Sequence, residues 1–269
     1  MSGQGCQLST GGDLDGRIYI GTILLEPNRW SQPKTPTYRV SEWLDRFEGA
    51  GFDGMELWEY HATLCEPEEL AALEASSFPT SIFNTYCDFD DASEADRRRA
   101  AEMANRLGAA GVKFNVGRDP GLRDAYLRNL RAWSELLPDD CRILCECHGG
   151  TIIEEPAAAA SFFGEVDDSR VEIIVHCFAA ELDRLREWLR TFGPKVTHSH
   201  VQLRDDDGNA VRVDRNPAHV KEALRIMREE GYAGSFTLEF TEGTRAPDEN
   251  MDDLWQAALA DLHFLRESL

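Results

Sequence analysis

Residues 142–243 contain four strand-like segments, which read RILCECH (142–148), VEIIVHCF (171–178), VTHSHVQL (196–203) and SFTLEFTEG (235–243). Each segment ends in side chains that can bind a metal, and a helical pattern separates each one from the next. A single segment of this kind would carry little information. Four of them predict a parallel barrel whose strand ends collect carboxylates and imidazoles around one divalent ion.

The same alternation of strand-like and helix-like segments extends to the rest of the chain. Four earlier strand-like segments are RIYIGTI (17–23), DGMELWEY (53–60), TSIFNTY (80–86) and VKFNVG (112–117). Helical patterns lie between the eight segments, at about 38–49, 66–76, 93–109, 121–137, 154–164, 180–191, 217–230 and 249–267. Eight β/α units without a break in composition predict an α/β protein with one domain, a (β/α)8 TIM barrel over residues 1–269. Its first 16 residues are predicted to be a flexible polar lead-in.

Local signals indicate several helix boundaries. Ser93 is a good N-cap residue, and Asn216 followed by Pro217 is an N-cap with proline at the first helical position. Gly231 stands where a glycine commonly ends a helix. We therefore expect helices to begin after Ser93 and Asn216, and one to end before Gly231.

The charge of the chain excludes some classes of partner. Its 49 acidic and 28 basic residues give a formal net charge of -21. A nucleic-acid partner needs basic grooves, so this balance argues against one. No apolar run approaches the roughly 18 residues of a membrane span, and the N-terminus lacks the pattern of a secretory signal. These features predict neither a nucleic-acid nor a membrane partner.

The seven cysteines are an odd number without a regular spacing. Several lie in predicted core strands, where a free thiol behaves as a small apolar group, so we expect a reducing cytoplasm. Cys145, Cys147 and His148 are an alternative zinc-binding set. Strand alternation disfavours that set, because it places the two cysteines on the face opposite Glu146 and His148.

Strand alternation also tests the proposed cluster, because residues two apart share a face. Glu146 and His148 are in phase, as are His198 and His200. A carboxylate in the middle of TLEFT, at Glu239, is costly to bury without a cation or a hydrogen-bond network. Further in-phase polar or aromatic residues near strand ends in the first half are Glu56, Trp58, Lys113 and Asn115.

Ordered motifs at the strand ends resemble the xylose isomerase-like barrel superfamily, which includes sugar isomerases, ketose 3-epimerases and the endonuclease IV group. The motifs are GFDGMELW (51–58), CECHGG (145–150), THSHVQLRD (197–205) and GYAGSFTLEFTEG (231–243), and the resemblance covers roughly residues 17–245. The last motif is the most specific.

By this resemblance, the ligands of one divalent metal are expected at the ends of strands five to eight. They fall on Glu146, His176, His200 and Glu239. The chain departs from the family pattern at His176, where an Asp is usual, and at Ala179, where a second His is usual. Two imidazoles and two carboxylates suit Mn²⁺ or Zn²⁺, with Mg²⁺, Co²⁺ and Fe²⁺ as alternatives.

The resemblance implies an isomerase or epimerase of a sugar, keto-sugar or cyclitol, acting through a metal-stabilised enediolate. Glu146 and Glu239 would exchange the proton as general base and acid. Residues expected to contact the carbohydrate-like substrate are Glu56, Trp58, Lys113, His148 and Arg204, while His198 would orient a carboxylate.

Other interpretations remain open from the sequence. A lyase or dehydratase begins with the same proton abstraction, and an abasic-site endonuclease or a non-catalytic barrel would share the fold. Glu56 could pair with Lys113, Trp58 could be plain packing, and Arg204 could lie in a solvated loop. Barrels of this type often associate, so a homo-oligomer is a further possibility.

Overall fold

Eight parallel strands close into a barrel in the computed structural model, which describes residue 14, residues 16–179 and residues 181–269. In the order of the closed barrel, β1 neighbours β10 and β2, and the other strands follow in sequence order between them. The barrel strands are β1 (Ile18–Gly21), β2 (Met55–Trp58), β3 (Thr80–Asn84), β4 (Gly111–Phe114), β5 (Arg142–Glu146), β6 (Val171–His176), β7 (Val196–Val201) and β10 (Ser235–Leu238). The predicted (β/α)8 barrel and all eight predicted strand positions are confirmed.

A helix lies within or across each of the eight predicted helical regions. The α-helices are α1 (Leu44–Ala50), α2 (Tyr60–Thr63), α3 (Pro67–Glu74), α4 (Glu94–Arg106), α5 (Arg123–Ser134), α6 (Pro156–Val166), α7 (Leu182–Phe192), α8 (Pro217–Glu229) and α9 (Met251–Ser268). The short helix α2 was not predicted, and neither was the antiparallel hairpin of β8 (Leu203–Arg204) and β9 (Ala210–Val211). Short 3-10 turns occur at Thr22–Leu25, Pro27–Trp30, Val40–Glu42, Asp91–Ser93, Pro120–Leu122, Gly193–Lys195 and Val213–Arg215.

The predicted helix boundaries are confirmed, with one correction. The side chain of Asn216 accepts a hydrogen bond from the His219 N–H, as an N-cap should. Gly231 follows α8 with a φ of 77°, a left-handed conformation that suits glycine. Ser93 stands at the N-cap of α4 but its side chain makes no capping hydrogen bond. The reason is local: a 3-10 turn at Asp91–Ser93 runs directly into α4.

Apolar side chains fill two separate layers. The larger layer lies between the barrel and the helices, and includes Ile143 and Cys145 of β5. A small second cluster contains Tyr19, Ile82, Leu144 and Ile174. Leu144 shares a strand face with Glu146, so this cluster lies inside the barrel on the same side as the polar residues. The small apolar cluster therefore fills the barrel interior below the polar residues at the strand ends.

Other expectations from composition can be compared with the structure. Residues 1–13 and 15 of the predicted lead-in lie outside the described residues, and Leu14 is buried in the outer core. Cysteines 65, 87, 141, 145, 147 and 177 are free. No helix in the described part of the chain is both long and apolar enough to cross a membrane.

Candidate active site

A cavity of about 610 Å³ opens where the barrel strands end, which is the face where (β/α)8 barrels form their active sites. Glu146 and Glu239, from β5 and the end of β10, lie on its wall. Most of the rest of the wall comes from segments that follow β1, β3, β4, β5, β7 and β10, including Arg204 of β8, and Tyr126 of α5 also contributes. We use "floor" below for Glu146, His176, His200 and Glu239.

The floor brings four potential ligand atoms together within 4.8 Å of one another. The His176 Nε2 atom lies 3.0 Å from Glu146 Oε1 and 3.7 Å from Glu239 Oε2. The His200 Nδ1 atom lies 3.7 Å from Glu146 Oε1 and 3.5 Å from Glu239 Oε2. The register of the barrel produces this meeting, because His176 of β6 is aligned with His200 of β7, and Thr237 of β10 is aligned with His200.

Two buried nitrogen atoms show that this arrangement fits a metal. His176 Nε2 and His200 Nδ1 make no hydrogen bond although carboxylate oxygens lie within 4 Å of both. Buried polar atoms in proteins are nearly always hydrogen-bonded, so two such atoms in one small space need an explanation. Lone pairs of two imidazoles and two carboxylates that converge on one point are what a divalent cation requires.

Lys113 and Asn115 hold the oxygen of Glu146 that points away from the point where the four floor side chains converge, which we call the floor centre. This oxygen, Glu146 Oε2, lies 2.7 Å from the Lys113 ammonium and accepts a hydrogen bond of 3.0 Å from Asn115 Nδ2. Burial raises the pKa of Glu146, but Lys113 and the two imidazoles of the floor outweigh it and bring that pKa well below its usual range. Glu146 is therefore an ionised carboxylate whose Oε1 faces the floor centre.

Glu239 has a different environment from Glu146. It accepts a hydrogen bond of 3.3 Å from Gln202 Nε2 and has no lysine beside it among the described residues. Burial raises the pKa of Glu239, and the negative charge of Glu146 adds to that rise against the opposing effect of His200. The two carboxylates of the floor thus differ in how strongly they retain a negative charge before a metal binds.

A second buried layer orients His200. Its Nε2 atom lies 3.2 Å from Glu56 Oε2, while the other oxygen of Glu56 accepts a hydrogen bond of 2.7 Å from Asn84. Donation from Nε2 to Glu56 would leave the Nδ1 lone pair to a metal at the floor. Burial lowers the pKa of His200, but the carboxylates of Glu56 and Glu239 outweigh it and raise that pKa well above its usual value, so a metal would displace a proton from the ring. His198 lies 3.5 Å from the same Glu56 oxygen and is held by the hydroxyls of Ser235 and Thr237.

This second layer could be taken for another metal site, because Glu56, His198 and His200 also bring three ligand atoms together. The atoms that these residues turn toward one another, Glu56 Oε2 and the Nε2 atoms of His198 and His200, already have hydrogen-bond partners. We therefore interpret this group as a support for the floor. His198 lies beside the carboxylate of Glu56, and its role in orienting a carboxylate stays a prediction. Neither group of candidate ligands in the described residues includes a cysteine.

The residues predicted to contact substrate divide into two sets. His148 and Arg204 are exposed and line the cavity. Glu56, Trp58 and Lys113 are buried and do not line the cavity. Glu56 does not pair with Lys113 either.

Strand order and a long loop explain these placements. Lys113 lies on β4 beside β5 and pairs with Glu146 of β5, whereas β3 separates it from Glu56 of β2. The Trp58 ring packs edge-on against Tyr60 and His61, and Lys34 from the loop after β1 lies 5.9 Å above it. That loop covers the tryptophan, which agrees with the packing alternative.

Several cavity residues were not found from the sequence. They are Lys34, Tyr86, Arg118 and Arg245, and all four stand in loops after barrel strands. The rule that strand-following loops build the site of a barrel was available as a signal. It indicates which loops matter, but an irregular loop has no periodicity that tells which of its side chains turns inward.

The chain belongs to the xylose isomerase-like TIM barrel family, whose sequence profile matches residues 44–267. The resemblance carried by the strand-end motifs is thereby confirmed. No curated protein matches the chain by sequence at a significant level.

Solved structures match the whole fold at low sequence identity. One is the probable 3-DHS dehydratase AsbF of Bacillus anthracis, with a TM-score of 0.67, 18% identity, and 93% of this chain and 98% of that chain covered. Another is the D-psicose 3-epimerase of Clostridium cellulolyticum H10 with D-tagatose, with a TM-score of 0.67, 13% identity, and 94% and 99% covered. A third is a xylose isomerase-like TIM barrel protein of Mycobacterium smegmatis in complex with magnesium, with a TM-score of 0.60, 17% identity, and 94% and 97% covered. At these identities the likeness establishes the fold, and structures of this fold include enzymes.

Proposed function

We propose that the protein is a divalent-metal-dependent isomerase or epimerase that moves a proton at a carbon next to the carbonyl of a carbohydrate-like substrate. The observation that carries this proposal is the floor itself. Two imidazole nitrogens without hydrogen bonds and two buried carboxylates converge there, at the bottom of a cavity large enough for a small molecule.

The metal would be held by Glu146, His176, His200 and Glu239. Two nitrogen and two oxygen donors favour Zn²⁺ or Mn²⁺ over Mg²⁺, which prefers oxygen ligands and retained water. Bound there, the metal supplies a Lewis acid that stabilises negative charge on the substrate when a proton leaves.

Glu146 and Glu239 would carry the proton. Lys113 and Asn115 bind one oxygen of Glu146 and leave the other directed to the floor centre, so the carboxylate needs no reorganisation before it reacts. Gln202 positions Glu239 in the same way through a single hydrogen bond. Positioned acids and bases of this kind typically contribute about 10²–10⁴-fold to a rate.

A dehydratase or lyase is the second candidate. It would use the same two carboxylates for the first proton abstraction and differ in the group that the substrate then expels. The structural likeness to a probable dehydratase supports keeping it. An abasic-site endonuclease is disfavoured by the net charge of -21, since nucleic acid binds to basic surfaces.

Metal analysis and isotope exchange test the proposal together. The purified protein should contain about one equivalent of a divalent metal, and chelated protein should regain thermal stability on addition of Mn²⁺ or Zn²⁺. Keto-sugars, hydroxy-keto acids and their phosphates would then be incubated with it in D₂O. We expect deuterium at a carbon next to the carbonyl, with a water-elimination product instead if the enzyme is a dehydratase.

Two results would contradict the proposal. A chelated protein whose melting temperature does not respond to either metal would remove the metal site. Turnover without any deuterium incorporation would exclude proton abstraction beside a carbonyl.

A further inference from the structure

Above the floor, basic side chains outnumber the carboxylates Asp88 and Asp119 in the lining of the cavity, in contrast to the acidic net charge of the protein. Four cationic side chains, which we call the mouth, line this part of the cavity: Lys34, Arg118, Arg204 and Arg245. They stand in a chain with a net charge of -21, in which 49 acidic residues outnumber 28 basic ones. Arg29 also lines the cavity, but it is buried and bound by Glu249 and the carbonyls of Ile23 and Leu24.

The mouth cations lack carboxylate partners among the described residues. Arg204 donates to the Gly208 carbonyl and the Gln202 amide oxygen, and Lys34 donates to the Arg29 carbonyl. Arginines on the outer helices differ from them. Pairs with carboxylates at 2.5–2.8 Å are Arg98–Glu94, Arg123–Glu165, Arg184–Glu155 and Arg225–Glu222.

A backbone hydrogen bond and stacking on an aromatic ring restrain Arg245. Its φ of 68° lies in the left-handed region, which is uncommon for a residue with a side chain. Its N–H donates to Glu249, and its guanidinium lies 4.0 Å from the centre of the Trp30 ring. Stacking on tryptophan orients the guanidinium while its N–H donors remain available to a ligand.

We propose that the mouth binds an anionic group, so that the substrate is a hydroxy-carbonyl compound bearing a carboxylate or a phosphate. This inference rests on the proposed function for the reacting end of the molecule, which the floor would bind. Arg118, Arg204 and Arg245 would bind the anion at the other end through charge-assisted hydrogen bonds. In a cavity of an acidic protein, such unpaired cations select a ligand that brings its own negative charge.

Calorimetric titration of the Mn²⁺-loaded protein with three probes tests the inference. The probes are 5-keto-D-gluconate for a carboxylate, D-ribulose 5-phosphate for a phosphate, and D-ribulose as the neutral counterpart. We expect at least one anionic probe to bind about tenfold or more tightly than D-ribulose at low salt, and to lose that advantage as salt is raised. The preferred probe distinguishes the two anionic groups.

Three variants and a matched control localise the effect. We expect weaker binding of the anionic probe, by about tenfold, in each of Arg118→Gln, Arg204→Gln and Arg245→Gln. The affinity for D-ribulose should not change. Arg98→Gln removes an exposed arginine from the outer helix α4 and should change neither affinity. Equal binding of charged and neutral probes, no binding of either anionic probe, or three variants that behave like Arg98→Gln would overturn the inference.

Binding of Mn²⁺, titrated separately in each variant, distinguishes this inference from the proposed function. If Mn²⁺ binds normally and the anionic probes show no preference, only the mouth is misassigned. If Mn²⁺ does not bind, the proposed function fails, and the titrations on metal-free protein still decide whether the mouth binds anions.

Discussion

The floor of the cavity consists of buried or half-buried side chains at strand ends that neighbouring groups hold in position, whereas the mouth consists of side chains from loops and from the hairpin of β8, without carboxylate partners in the described structure. Glu146 is fixed by Lys113 and Asn115, and His200 by Glu56. Arg118 and Arg204 are exposed to solvent. The difference separates two tasks. Chemistry needs groups whose positions are fixed before the substrate arrives, and selection needs charges that remain free for the substrate to neutralise.

The largest effect is expected at the floor, from Glu239→Gln. The substitution preserves shape but removes a carboxylate that would bind the metal and transfer a proton. We expect kcat to fall by about 10²–10⁴-fold on whichever substrate the exchange screen identifies. The control is Glu242→Gln, three residues after Glu239, which removes a partly exposed carboxylate paired with Arg215. Retained turnover in Glu239→Gln would exclude its role in proton transfer.

A smaller effect is expected one layer below the floor, from Glu56→Gln. The carboxylate of Glu56 accepts from His200 Nε2 and makes the imidazole a stronger metal ligand. Its loss should weaken Mn²⁺ binding by about 10–100-fold, measured by titration followed with electron paramagnetic resonance.

The matched control for Glu56→Gln is Glu69→Gln. Glu69 is also a buried carboxylate, but it binds Ser41 and Arg39 outside the cavity. It should alter stability without changing Mn²⁺ affinity. Equal Mn²⁺ affinities in wild-type protein and Glu56→Gln would mean that Glu56 does not support the metal site.

The same division between floor and mouth governs what the sequence could predict. The barrel follows from periodicity, and the four residues of the floor follow from the resemblance of the strand-end motifs to the family, while strand alternation places Glu146 and Leu144 on one face. Trp58 and Lys113 share that periodicity, yet neither lines the cavity. A loop covers Trp58, and Lys113 is bound by a carboxylate of the next strand. Which strand lies beside which could have been read from the barrel order; how a loop folds over a ring could not.

The mouth is harder to predict for a physical reason. Arg245 lies within hydrogen-bonded turns after β10, and its orientation depends on Trp30, more than 200 positions earlier in the chain. No local pattern encodes a contact between two irregular loops. Only the general rule that strand-following loops build a barrel's site applies, and it does not select individual residues.

Beneath the loop that follows β10, a buried carboxyl group supplies a test of how that loop is anchored. Asp261 of α9 accepts hydrogen bonds from the Val213 N–H and the Thr241 hydroxyl. Burial raises the pKa of Asp261 to about 7, although both hydrogen bonds lower it. The folded protein therefore keeps this proton at pH values where the unfolded chain, with an ordinary pKa of 3.8, has lost it.

The sign of the resulting pH dependence follows from linkage. Between about pH 4 and pH 7 the folded state binds more protons at Asp261 than the unfolded state, so this group makes the free energy of unfolding fall as pH rises. The slope from one such group is at most about 1.4 kcal/mol per pH unit. The side chain introduced by Asp261→Asn carries no charge at any pH, so it lacks this contribution to the pH dependence. The free energy of unfolding of the variant should therefore rise relative to that of wild type as pH increases over that interval, measured by urea unfolding at several pH values. Parallel pH profiles for the two proteins would contradict an anchored, protonated Asp261.

The smallest effect is expected from the mouth itself when stability is measured. Arg118 and Arg204 are exposed and have no carboxylate partner among the described residues, so replacing either with Gln removes little that the folded state uses. The free energy of unfolding should stay within about 0.5 kcal/mol of wild type in urea titrations. By contrast, Lys113→Met breaks a buried ion pair with Glu146 and should cost about 3–5 kcal/mol. If the two mouth variants were destabilised as strongly as Lys113→Met, these arginines would be part of the fold, and their missing partners would no longer point to a ligand.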